Sequence, residues 1–140
     1  MATFEHNPDL RAFPVFDRLF DGLAAHPVTD DDNWPILTAG EFVVIDPAQR
    51  DPDVGELFVI QWDSGRRAIV EAILVGSARK LAVASLRREP ALAMAGTDER
   101  QAPRYYDGPY PAEILKQKIV GRVVGILQPS FDETMLRRCN

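Results

Sequence analysis

Cysteine is nearly absent. Cys139 is the only one among 140 residues, so no disulfide can form within the chain, which suits a reducing compartment. Histidine is almost as rare. His6 and His26 stand apart, and no cysteine or carboxylate spacing around them makes a metal motif or a catalytic triad. No cofactor is expected on these grounds. Long apolar runs are missing too. None approaches the roughly 20 residues that a membrane helix needs. The start, Met1-Ala-Thr-Phe-Glu-His-Asn-Pro, lacks the basic opening and apolar core of a signal peptide. The cytoplasm is the expected location, with no membrane partner. Positive charge is in deficit. Lys and Arg number 16 against 21 Asp and Glu, a net charge of −5, so direct nucleic-acid binding is not expected. The pairs Arg66-Arg67, Arg79-Lys80, Arg87-Arg88 and Arg137-Arg138 do not grow into a patch with interleaved aromatics, and they read as solvated positions.

Apolar residues make up 46% of the chain and charged residues 26%, the composition of one globular domain with a core. Phe13, Val15, Phe16, Leu19, Phe20 and Leu23 recur at spacings of three and four, and Asp17 to Leu23 is expected to form a short amphipathic helix. Thr29 to Asn33 reads as a turn or loop. From residue 40 the pattern becomes that of strands: Glu41–Asp46, Leu57–Trp62, Arg67–Val75, Leu81–Leu86 and Lys118–Leu127. Asp63-Ser-Gly-Arg joins the second and third as a hairpin loop. Gly121 and Gly125 inside the last strand predict a bulge or the close approach of another backbone. Residues 88–113 are punctuated by proline and glycine, and Tyr105 to Pro111 reads as a turn with aromatic anchors. Phe131 to Arg138 is a candidate short helix. The expected organisation is an entry segment over 1–30, a folded domain over 31–128 and a C-terminal tail over 129–140. Short strands between turns indicate a mainly β fold.

Residues 32–47 read Asp-Asn-Trp-Pro-Ile-Leu-Thr-Ala-Gly-Glu-Phe-Val-Val-Ile-Asp-Pro. This stretch resembles the segment around the nucleophile of LexA and the phage-repressor self-cleaving serine peptidases. Their pattern is Ser-Met-x-Pro-x-Leu, two residues, Gly-Asp and an apolar strand. Pro35, Leu37, Gly40 and the strand Phe42 to Ile45 fall at the matching offsets, with Glu41 replacing the aspartate. Asp51 to Ile60 is similar to the family's second strand entry. Ile69-Val-Glu-Ala-Ile-Leu resembles the strand that carries its lysine, and Ile119 to Leu127 its last core strand. The resemblance covers about residues 30–128 and implies the LexA/signal peptidase-like fold, twisted antiparallel sheets with a short N-terminal helical segment. It also implies that the strand at 41–46 lies beside the one at 67–75, without which the alignment of Asp32 and Glu71 is wrong, and that Asp32 approaches Glu71.

The family's chemistry does not carry over. Its serine hydroxyl is activated by a lysine kept neutral by burial. Here Asp32 stands at the serine position, Asn33 at the methionine and Glu71 at the lysine. A carboxylate can neither replace that hydroxyl nor act as that base. Both are expected to face solvent in a vestigial groove, although two nearby carboxylates can also hold a cation or share a proton. Trp34 and Pro35 are the expected groove residues, with Trp34 filling the vacated cleft in preference to holding a peptide. An alternative dyad is Ser77 and Lys80, a Ser-x-x-Lys match in a turn after Gly76. About 30 residues precede the motif, too few for the three-helix DNA-binding module of the repressors. The expected role is a non-catalytic pseudo-peptidase acting as a protein-binding or assembly module. By resemblance it forms a homodimer, with a protein or peptide partner such as a phage-related regulator. The competing expectation is a self-cleaving peptidase with the Ser77–Lys80 dyad, and a third is an unrelated small β-barrel.

Overall fold

The computed structural model describes residues 13–87 and 104–129. Seven strands and one helix follow in the order β1 (Val15–Phe16), β2 (Ala24–Pro27), β3 (Phe42–Asp46), β4 (Leu57–Gln61), β5 (Arg67–Val75), β6 (Lys80–Ala84), α1 (Ala112–Lys118) and β7 (Ile119–Leu127). They form one sheet in the order β2-β3-β7-β4-β5-β6, and β1 pairs with the end of β7. All pairings are antiparallel except β1 with β7, which is parallel. The domain is therefore mainly β.

β4, β5 and β6 form a meander. The Asp63-Ser-Gly-Arg hairpin is as expected, with Trp62 N–H donating to Arg66 O at 2.8 Å. The last strand, β7, runs through the middle of the sheet, between β3 and β4. The adjacency expected for the strands at 41–46 and 67–75 is therefore absent, because β7 and β4 intervene between β3 and β5.

β7 carries two register shifts, opposite Val44/Ile45 of β3 and opposite Val59/Ile60 of β4. Each lies beside one of its glycines. A Cβ on Gly121 would stand 2.8 Å from the Asp46 carbonyl oxygen, and one on Gly125 would meet the Phe16 ring and the Pro14 carbonyl. The two glycines thus let β7 bend while another chain segment crosses closely, as the sequence predicted.

The sheet buries both faces. Leu57 and Val59 of β4 join Leu37, Val43, Ile45, Ile69 and Val123 in one core. Phe58 and Ile60 join Val70, Ala72, Val83, Ile119 and Leu115 in the other. This double covering explains why β4 reads as a continuous apolar run and does not alternate. Helix α1 roofs the second core with Leu115, its one buried residue. Glu113 in its first turn and Lys116 and Lys118 in its last suit the helix dipole. The sequence carries no helical signal here, because seven residues with one core contact give too little periodicity.

Asp17 to Leu23 forms a bend and a turn, not the expected helix. Phe16 O accepts from Gln128 N–H at 2.8 Å and Leu23 N–H closes onto Phe20 O at 3.1 Å, so the backbone enters as an edge strand and then turns. The Phe16 ring packs edge-on against Phe20, with centroids 6.1 Å apart. The apolar spacing reflects these contacts and not a helical face. The expected helix at 131–138 and Cys139 lie outside the described residues.

Candidate functional site

The Asp-Asn-Trp-Pro turn is fixed by one buried side chain. Asn33 is 2% exposed. Its amide nitrogen donates to Ile69 O at 3.0 Å, and its amide oxygen accepts from Leu86 N–H at 2.8 Å. The β5–β6 ladder runs as far as Glu71 opposite Ala84. Continuing that register would set Ile69 against Leu86, and the Asn33 carboxamide stands in for that rung. A carboxamide suits this place because it offers one donor and one acceptor on the same plane. The adjoining Asp32 carbonyl accepts from Arg87 N–H at 3.0 Å. Leu37, fully buried, anchors the other end of the turn, and its N–H donates to Asn33 O at 2.9 Å. Glu41 closes the following turn by accepting from Thr38 N–H at 2.6 Å.

Glu71 points into the sheet beside this wedge and is 7% exposed. Arg104 Nη1 donates to Glu71 Oε1 at 2.6 Å, and both side chains are 9% exposed. The same guanidinium donates from Nε to Ser85 O at 2.8 Å and from Nη2 to Ala84 O at 3.2 Å. The planar fork satisfies a carboxylate and two strand carbonyls at once, which an ammonium could not do in one geometry. Beyond Arg104 the chain lines the outer edge of β6. Asp107 and Val83 exchange backbone bonds of 2.8 and 3.0 Å, and Tyr110 N–H donates to Leu81 O at 2.8 Å. Tyr110 leans on Trp62, its hydroxyl donating to Asp107 Oδ2 at 2.7 Å. That bond, with burial and the nearby carboxylates, pushes its pKa up to about 12.

The sequence-expected positions are thus separated in character. Asp32 is exposed on the turn, whereas Glu71 is buried and ion-paired. The expectation that both face solvent is corrected for Glu71, because Arg104 gives its charge a buried partner. The turn carrying Asp32 nevertheless reaches β5 directly, through Asn33 and Ile69. Trp34 is 61% exposed and does not fill a cleft, since Asn33 and Leu37 on either side take the interior places. Pro35 is exposed beside it. Ser77 lies in the turn between β5 and β6 and Lys80 begins β6; both are exposed. The burial that would neutralise a lysine base is lacking at Lys80. Among the described residues no group of three or more His, Cys, Asp and Glu could hold a metal ion. No described helix is long and apolar enough to cross a membrane.

Two residues that organise this region, Asn33 and Arg104, were not singled out as site residues from the sequence. Asn33 adjoins Trp34 in a turn-forming run, where a polar residue suggests solvent. Arg104 lies 33 residues from its carboxylate partner. A buried carboxylate inside an apolar strand was the available signal that a distant cation had to reach it. Comparison with known proteins finds no family model, no curated protein and no solved structure that matches this chain.

Proposed function

We propose that this domain is a non-catalytic binding or assembly module on a LexA/signal peptidase-like fold, a pseudo-peptidase that associates with itself and with a protein or peptide of a regulatory system, phage-related by resemblance. The observation that carries this reading is the state of Glu71. The position matching the family's lysine holds a carboxylate engaged by Arg104 inside the sheet, where it is unsuited to deprotonate a hydroxyl. Asp32, at the position of the nucleophile, offers no hydroxyl at all. The Asp32 turn reaches the Glu71 strand through Asn33 and Ile69, while β7 and β4 stand between the two strands that the resemblance sets side by side. The exposed aromatics that flank the region supply contact surface that a catalytic cleft would not require.

Incubation of the pure protein at alkaline pH, followed by intact mass, tests the absence of catalysis. Unchanged mass is expected for the native chain and for Ser77→Ala alike. Self-cleavage abolished by Ser77→Ala or Lys80→Ala refutes the reading in favour of a displaced dyad. Light scattering after size exclusion tests the self-association component, and a purely monomeric elution removes it.

A further inference from the structure

We infer that the face carrying Trp34, Tyr105 and Tyr106 holds an extended segment of another protein that presents arginine or lysine. This rests on the binding-module reading above and names the chemistry of its partner. The three rings are 61%, 66% and 53% exposed. Their exposure does not come from loose backbone. Trp34 sits between the Asn33 wedge and the buried Leu37, and its N–H donates to Asp31 O at 3.1 Å. Tyr105 and Tyr106 sit between the Arg104 clamp and the two backbone bonds of Asp107. Both segments are pinned to three consecutive residues. Ser85 O takes Arg104 Nε, Leu86 N–H reaches Asn33, and Arg87 N–H reaches the Asp32 carbonyl. Trp34, Tyr105 and Tyr106 therefore lie on two segments tied to one short stretch of chain, on backbone that is already ordered. Burying rings held in this way costs little further entropy, which is the condition of an interface anchor.

Charge selects the occupant. The exposed carboxylates of Asp31 and Asp32 adjoin Trp34. The Arg104 guanidinium is engaged by Glu71 and two backbone carbonyls. The chain as a whole carries −5. Aromatic faces attract guanidinium and ammonium groups, and neighbouring carboxylates strengthen that attraction. An anionic partner would meet repulsion at the same place.

The test is fluorescence anisotropy with a labelled peptide alternating arginine and leucine, against its counterpart alternating glutamate and leucine. The arginine peptide is expected to bind saturably and the glutamate peptide not. Trp34→Ala, at an exposed position that leaves the fold intact, is expected to weaken binding about tenfold. Asp31→Asn with Asp32→Asn is expected to weaken it, while Asp17→Asn with Asp21→Asn, the same charge change at other exposed positions, is not. Equal binding of both peptides, no binding of either, indifference to Trp34→Ala, or equal effects of the two aspartate pairs overturns the inference. Mass spectrometry of peptide and protein after the titration separates the two readings. A cleaved species refutes the binding-module reading, whereas intact molecules without binding refute only the cationic partner.

Discussion

Removing Arg104 should destabilise the domain far more than removing an ordinary surface arginine. An exposed ion pair contributes about 0–1 kcal/mol. Here both side chains are 9% exposed, and the guanidinium also holds the Ser85 and Ala84 carbonyls. Breaking a buried pair by deleting one partner costs about 3–5 kcal/mol. Arg104→Ala is therefore expected to cost about 4 kcal/mol. Arg104→Lys keeps the charge, loses the fork and is expected to cost about half as much. Replacing both partners by Met should cost less than Arg104→Met alone, with a coupling energy of about 2–3 kcal/mol. Glu71→Lys, which restores the residue type of the peptidase pattern, sets two cations against each other and should cost more than Glu71→Ala. Urea unfolding followed by circular dichroism measures each difference, with the m-value checking that the transition keeps its character. A cost below about 1 kcal/mol for Arg104→Ala, or single changes that simply add in the double variant, would refute this account of Glu71.

Asn33→Ala removes the bridge between Ile69 and Leu86, and the loss of two bonds at a buried site is expected to cost about 2–4 kcal/mol in the same assay. Hydrogen exchange should show the Leu86 amide losing protection. Gly121→Ala drives a methyl group against the Asp46 carbonyl and should destabilise by about 1–3 kcal/mol, visible as a lower thermal midpoint; a neutral result would mean that β3 is free to move away. His26 is held below its usual pKa of 6.5, first by burial and then by Arg67. The unfolded chain therefore takes up the His26 proton at higher pH than the folded one, and folding stability falls as pH drops through 6.5. Wild type should thus lose more stability than His26→Gln between pH 7.5 and 5, and parallel curves would contradict the assigned environment.

Strand content was legible because it rests on local signals. The runs of β4 and β5, the hairpin between them and the paired glycines of β7 each fit one strand and its immediate turn. The order of strands was not legible. β7 enters the middle of the sheet from the end of the chain, and nothing in its apolar residues names β3 and β4 as neighbours. The Asp17–Leu23 error has the same origin. Of the apolar residues at spacings of three and four, Val15, Leu19 and Phe20 are exposed, and Phe16 meets Gly125 through a strand and a turn, so the spacing marks no single face. At the candidate site the choice of Asp32 followed from its offset to Gly40 and that of Glu71 from its place in the third apolar strand, through the resemblance alone. Their environments did not, because burial of Glu71 depends on Arg104, and exposure of Trp34 depends on Asn33 taking the interior place.

The Asn33 wedge also bears on the order in which the domain assembles. β4, β5 and β6 are joined by short turns and can pair early, since little loop entropy opposes them. Their far end closes only when Asn33 arrives from 36 residues upstream of Ile69 and Arg104 from 20 residues downstream of Ala84. Those two side chains are expected to lock last and open first. The Leu86 amide should therefore exchange through a smaller opening than the amides of β4, and the surface beside Trp34 takes its shape only in the final step of folding.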